Sequence, residues 1–125
     1  MRDFAIQLTH RPGEIARVAH ALARKDVNLR SIAAMAFHNQ GLMPVIADNI
    51  EAARSALREG SIPFEESEVV TVLLENKAGE LEDVAAKLSN AGVNLLATFV
   101  LGLDGDLVEL ALIADDPKKA KKAVE

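Results

Sequence analysis

Two stretches of this chain are near copies of one another, and their spacing limits what the chain can fold into. Displaced by 66 residues, Leu8, Gly13, Glu14, Val18, Ala19, Leu22, Val27, Asn28 and Leu29 fall on Leu74, Gly79, Glu80, Val84, Ala85, Leu88, Val93, Asn94 and Leu95, with Ile15 over Leu81 and no gap. A period this long exceeds any stacked helix-turn-helix unit and has the size of a whole small domain. We therefore read two similar modules in tandem, residues 1–67 and 68–125.

Modules near that length bury only about 60% of their unfolded surface, so the copies are expected to share an interface or to pair with a second chain. Half of the 125 residues are apolar and both charge signs are present, which marks a folded protein. A net charge of −5 argues against general attraction to nucleic acid or anionic membrane. The absence of cysteine excludes disulfides, thiolate metal sites and a cysteine nucleophile. Nothing after Met1 reads as a signal peptide and no apolar run approaches the roughly 18 residues of a membrane span, so a cytoplasmic location is expected.

Along the chain, Phe4, Ile6 and Leu8 alternate with Ala5, Gln7 and Thr9, the period of a strand with one buried face. The turn Arg11-Pro12-Gly13 leads into a helix whose apolar stripe is Ile15, Val18, Ala19 and Leu22. Residues Val27 to Phe37 read as a second strand, His38 to Gly41 as a hairpin connection and Leu42 to Ala47 as the returning strand. Pro44 removes a ladder donor there, so a bulge or shortened strand is expected at that point. Asp48-Asn49 can cap a helix striped by Ile50, Ala53, Ala56 and Leu57 and stopped by Gly60, with a short fourth strand from Ile62 to Glu66. The second module repeats this order from Val69, through a strong turn at Asp104-Gly105, to a short helix opened by Asp115-Asp116-Pro117. On the same offset Glu125 aligns with Glu59, so module two has no fourth strand in this sequence; either the natural chain continues or a partner's strand fills the place.

The fold class that follows is α+β: two ferredoxin-like βαββαβ modules, each an antiparallel sheet with its helices on one face. That topology alone says little about function. The turn and the opening of strand two say more. Arg11-Pro12-Gly13 with Val27-Asn28-Leu29, and Lys77-Ala78-Gly79 with Gly92-Val93-Asn94-Leu95, resemble the signature of ACT domains, small regulatory modules that bind amino acids. The resemblance implies a ligand such as serine, lysine or a branched-chain amino acid at an interface between modules, touched by the turn after strand one and by the Asn that opens strand two. It also implies a homodimer and a metabolic enzyme as partner. Asn76 stands where serine-binding members carry Asn, and His10 takes that place in module one. The His that such members carry two residues earlier is replaced by Leu8 and Leu74.

The chemistry of the turn agrees with that implication. Backbone N–H groups at a helix start can hold a carboxylate, an Asn carbonyl can hold an ammonium group, and Gly13 and Gly79 admit close approach. The candidate ligand residues are therefore His10, Arg11, Gly13, Asn28, Asn76, Lys77, Gly79 and Asn94. Each also has a purely structural reading, since tight strand-to-helix turns favour Gly and Asn often fixes a strand opening. Glu14 and Glu80 have a sufficient role offsetting the positive helix end. His10, His20 and His38 are not clustered, no metal or cofactor is expected, and Lys118 to Lys122 read as a solvated helix face. No catalytic triad, P-loop or dinucleotide Gly pattern occurs, and the chain has neither Trp nor Tyr to stack bases. The expectation is a non-enzymatic, amino-acid-binding regulatory protein. The alternative is a subunit that binds a biosynthetic enzyme without a ligand of its own. An acylphosphatase-like enzyme, with Arg11 as its one phosphate-cradling candidate, ranks third.

Overall fold

In the computed structural model, which describes residues 1–125, the chain divides into two compact units, Met1–Ser67 and Glu68–Glu125. The first unit runs β1 (Arg2–Thr9), α1 (Glu14–Arg24), β2 (Leu29–Ile32), β3 (Met35–Phe37), β4 (Gln40–Ala47), α2 (Ile50–Glu59) and β5 (Phe64–Glu68). Its sheet order is β2-β4-β1-β5, with β3 also on β4, and β4 is antiparallel to β1, β2 and β3. Placing strand three between strands one and two is the ferredoxin-like split of a βαβ crossover. The alternation in β1 sends Phe4 and Ile6 into a core with Val18 and Leu22 of α1, Met43 and Val45 of β4, and Ala53 and Leu57 of α2. The Phe4 ring meets Phe64 of β5 edge to face at 5.6 Å between centroids.

The second unit runs β6 (Val70–Glu75), α3 (Glu80–Asn90), β7 (Leu95–Asp104), β8 (Leu107–Ala114) and α4 (Pro117–Val124). Its three strands lie in the order β6-β8-β7, and no strand takes the place beside β6 that β5 takes beside β1. Val70, Val84, Leu88, Val93, Leu112 and Ala120 form its core. The fold is thus α+β with two antiparallel sheets. No helix is long and apolar enough to cross a membrane.

Three details depart from the sequence expectation. Pro44 neither bulges nor shortens β4: it pairs in register with Ala5 in a full eight-residue central strand. The interruption falls on the neighbour, because Ala33 N–H still donates to the Pro44 carbonyl at 3.1 Å while Pro44 has no N–H to return. Strand two, expected as one element, is accordingly split into β2 and β3 at Ala33-Ala34. Second, the offset of 66 does not last. The helix N-caps Asn49 and Asp116, which accept from Ala52 N–H at 3.0 Å and Lys119 N–H at 3.1 Å, stand 67 residues apart. The extra residue is absorbed at Leu101, where the β7–β8 register shifts between Val100 and Gly102, so Glu125 matches Arg58 and not Glu59. Third, the fourth strand begins at Phe64, two residues later than expected.

Candidate functional site

Both strand-to-helix turns are built on a glycine in the left-handed region, Gly13 at φ +90° and Gly79 at φ +92°. A Cβ at either position would meet nothing within 4 Å, so backbone conformation and not crowding requires glycine, and the space in front of each turn is open. Each glycine is the N-cap of its helix, and neither helix receives a side-chain cap. The first N–H groups of α1 and α3 therefore remain available to an acceptor.

Around this shared frame the two turns differ in charge. In module one, Glu14 is only 6% exposed and accepts from Thr9 N–H at 3.3 Å, from Arg17 at 3.2 Å and from Arg11 at 3.5 Å. Burial pushes its carboxyl up, but the Arg17 and Thr9 hydrogen bonds and the Arg11 charge outweigh that and hold it below the usual carboxylate range. A carboxylate from the chain itself thus occupies the Thr9 N–H and both guanidinium groups beside this turn, while the first N–H groups of α1 stay free. In module two the matching positions hold Glu75, Lys77, Glu80 and Asp83, so no guanidinium reaches Glu80. Lys77 turns back to Glu75 at 2.8 Å, and that hydrogen bond, with the charges of Glu75, Glu80 and Asp83, raises its ammonium pKa. The Glu75 carboxyl is lowered by the same contact.

Each turn borders a hollow. In module one it measures about 200 Å³ and is lined by His10, Arg11, Glu14, Ile15, Met35 and Ala36 among others. A wider depression of about 950 Å³, also bordered by Arg11 and Glu14, reaches Phe37 and Pro63. In module two a hollow of about 280 Å³ lies between the turn (Asn76, Lys77, Glu80, Leu81), β7 (Thr98, Phe99, Val100) and β8 (Val108, Leu110). Its floor residue Leu74 also packs on the unit-two core, so the hollow opens on the sheet face that carries the helices.

Of the sequence candidates, His10, Arg11 and Gly13 come together at the first turn, and Asn76, Lys77 and Gly79 at the second. Asn28 and Asn94 do not join them within their own modules. Each exchanges backbone hydrogen bonds with an aspartate at the far end of strand three: Asn28 N–H to the Asp48 carboxylate at 3.2 Å, and Asn94 N–H to that of Asp115 at 3.1 Å. The Asp48 and Asp115 N–H groups answer to the Asn28 and Asn94 carbonyls, each at 3.0 Å. Leu95 pairs with Ala114 and Glu75 with Leu107, so Asn94 and the turn sit at opposite ends of β8, roughly 23 Å of strand apart. Sequence reasoning missed Leu81, Val100, Val108 and Leu110, which form the apolar side of the second hollow, and Thr98 beside them; the alternation in β7 that puts Thr98 and Val100 on one face was the available signal. It also missed the Glu14–Arg17 contact, which the i, i+3 spacing announces. No group of three His, Cys, Asp or Glu side chains is placed to hold a metal ion.

No family model and no curated protein sequence matches this chain. Solved structures do. Protein BT0572 from Bacteroides thetaiotaomicron superposes with a TM-score of 0.83 at 20% identity, covering 98% of this chain and 84% of that one. The ligand-free regulatory subunit of aspartate kinase from Thermus thermophilus gives 0.63 at 18% identity over 98% and 89% of the two chains. Aspartokinase III of E. coli, crystallised with lysine and aspartate, gives 0.55 at 18% identity over 98% of this chain and 29% of its own. At these identities the likeness is one of fold: the chain is built on the ACT-domain fold, in common with a regulatory subunit of aspartate kinase.

Proposed function

We propose that this chain is a non-catalytic regulatory protein that binds a small amino acid at the turn after the first strand of its second module and works as a homodimer on a metabolic enzyme. The observation that carries the reading is the contrast between the two turns. Both helix starts are uncapped, but in module one the buried Glu14 holds Arg11 and Arg17, whereas in module two the Lys77–Glu75 pair is exposed and lies with Asn76 beside a hollow of about 280 Å³, the scale of a small metabolite. A ligand carboxylate there faces the α3 N–H groups and Lys77, and its ammonium group faces Glu80 and the Asn76 carbonyl. Asn94 lies at the far end of β8 from this turn, so it contributes only where another copy brings that end of its module here. The fold of aspartate-kinase regulatory subunits supports the regulatory half of the reading. A ligand that prefers one arrangement of subunits shifts the population toward it, and the partner enzyme reads that shift.

A thermal-shift screen of the twenty amino acids at millimolar concentration tests this. A ligand at 100 times its Kd adds about 2.7 kcal/mol, several degrees for a protein of this size. Gly79→Val and Asn76→Ala should remove the shift, and a response that survives both places the ligand elsewhere. A flat response across the panel favours the second reading, a subunit that engages an enzyme without a ligand. The apolar strip at Ile32, Met35 and Phe37, the last 77% exposed, recommends that alternative.

A further inference from the structure

We infer that the open edge of β6 takes an extended segment of another polypeptide as the fourth strand of module two, a segment that carries a carboxylate two residues after an apolar side chain. Module one shows what that place requires. There β5 lies beside β1, and the Gln7 N–H donates to the Pro63 carbonyl at 3.0 Å. Phe64 packs against the core, and Glu66, two residues on and so on the same face, accepts from Arg54 of α2 at 2.8 and 2.9 Å.

Module two keeps the receiving half of each contact. Leu73 matches Gln7, and the two pair with matching residues of their third strands, Glu109 and Leu42, so the Leu73 N–H points away from β8 to a side where no strand lies. Thr71 shares that direction, and from Val70 to Leu74 the strand has neither Pro nor charge to guard its edge. Apolar positions are left incompletely covered as well: Ile6, Ala56 and Leu57 are buried, whereas their counterparts Val72, Ala123 and Val124 are only partly so. On the offset of 67 that holds through the second helices, Lys121 stands where Arg54 does and Lys118 where Glu51 does, and neither lysine has an ion-pair partner. Glu68 replaces Arg2, so the cations offered to an incoming carboxylate come from α4. A strand added here gains ladder hydrogen bonds, covers apolar surface and pairs with lysine at once.

The probe is a synthetic peptide with the sequence of residues 61–68, which holds the fourth strand of module one. Titrated into the full chain and followed by fluorescence anisotropy and hydrogen exchange, it should bind and slow exchange at the Leu73 and Thr71 amides. Lys121→Glu should weaken binding about fivefold or more and leave the melting temperature of the free chain little changed; Lys118→Glu repeats the test if that variant misfolds. A peptide carrying Glu66→Lys should recover affinity for the Lys121→Glu chain. A peptide carrying Phe64→Ser, of unchanged charge, should bind at least about fivefold more weakly than the parent. Absence of binding at millimolar peptide overturns the assignment. So does binding that leaves the Leu73 amide exchanging freely, which is attraction to the lysines alone, or binding indifferent to Phe64→Ser or to Lys121→Glu. A Leu73 amide already protected without peptide also overturns it: the edge is then held by a second copy if protection falls on dilution, and by the chain itself if it does not.

Discussion

Three carboxylates in the first module are driven in different directions by their surroundings, and each predicts its own pH response. Glu66 accepts from Arg54 at 2.8 and 2.9 Å and from Arg2 at 2.9 Å, tying β5 to α2 and β1. The Arg54 hydrogen bonds lower its carboxyl to about 2, against the opposing effect of burial and with help from Arg2. A carboxyl depressed by folding stabilises the protein above its unfolded pKa, and that contribution is lost as pH falls from about 4.5 toward 2. Glu66→Ala should cost about 1.5–3 kcal/mol at pH 7 and flatten the acid limb of a stability–pH curve. Glu14 has the same sign, so Glu14→Gln should lower the melting temperature at pH 7 more than at pH 3. Asp3 is the opposite case. It is 1% exposed, its Oδ1 has no hydrogen-bond partner, and burial raises its carboxyl to about 6. Folding then favours the protonated acid, so stability declines as pH rises from about 4 to 6. Asp3→Asn should raise the unfolding free energy at pH 7, by at most about 3 kcal/mol, and leave pH 3.5 nearly unchanged. A loss at pH 7 would mean that the charge has a partner after all.

Turns and caps repeat between the modules, so element-scale effects should come in matched pairs. Gly13→Ala and Gly79→Ala each force a Cβ into a left-handed conformation without any steric clash to add to it. Each should cost about 1–2 kcal/mol by denaturant unfolding, and a clearly larger penalty at either would reveal a contact beyond the backbone strain. Asn49→Ala and Asp116→Ala each remove one N-cap acceptor, worth about 1 kcal/mol. The hairpins are a third pair: His38 at φ +58° stands where module two has Gly105, also at φ +58°. His38→Gly should therefore be tolerated or slightly stabilising.

At the scale of the molecule the two sheets differ at one edge. β1 has neighbours on both sides, whereas β6 has only β8. Native-state hydrogen exchange should find protected amides throughout β1, and fast exchange at those β6 amides that point away from β8. Uniform protection along β6 would require a strand beside it in solution.

Much of this was legible in the residues, because local periodicity and turn chemistry are properties of neighbours in sequence. The alternation of β1, the stripes of α1 and α3, the positive-φ glycines and the repeated Val-Asn-Leu openings are of that kind, and the sheet order follows from them by the crossover rule. The tertiary structure decided what depends on register. Pro44 keeps its strand straight because the missing donor is felt across the ladder at Ala33, a partner eleven residues away in the chain. The slip at Leu101 is invisible until β7 is laid on β8. For the same reason the residues expected to share one site divide. Strand three is long enough to hold Asn94 at one end and the Asn76–Gly79 turn at the other, and only the folded sheet brings Val100 and Leu110 to that turn in its place.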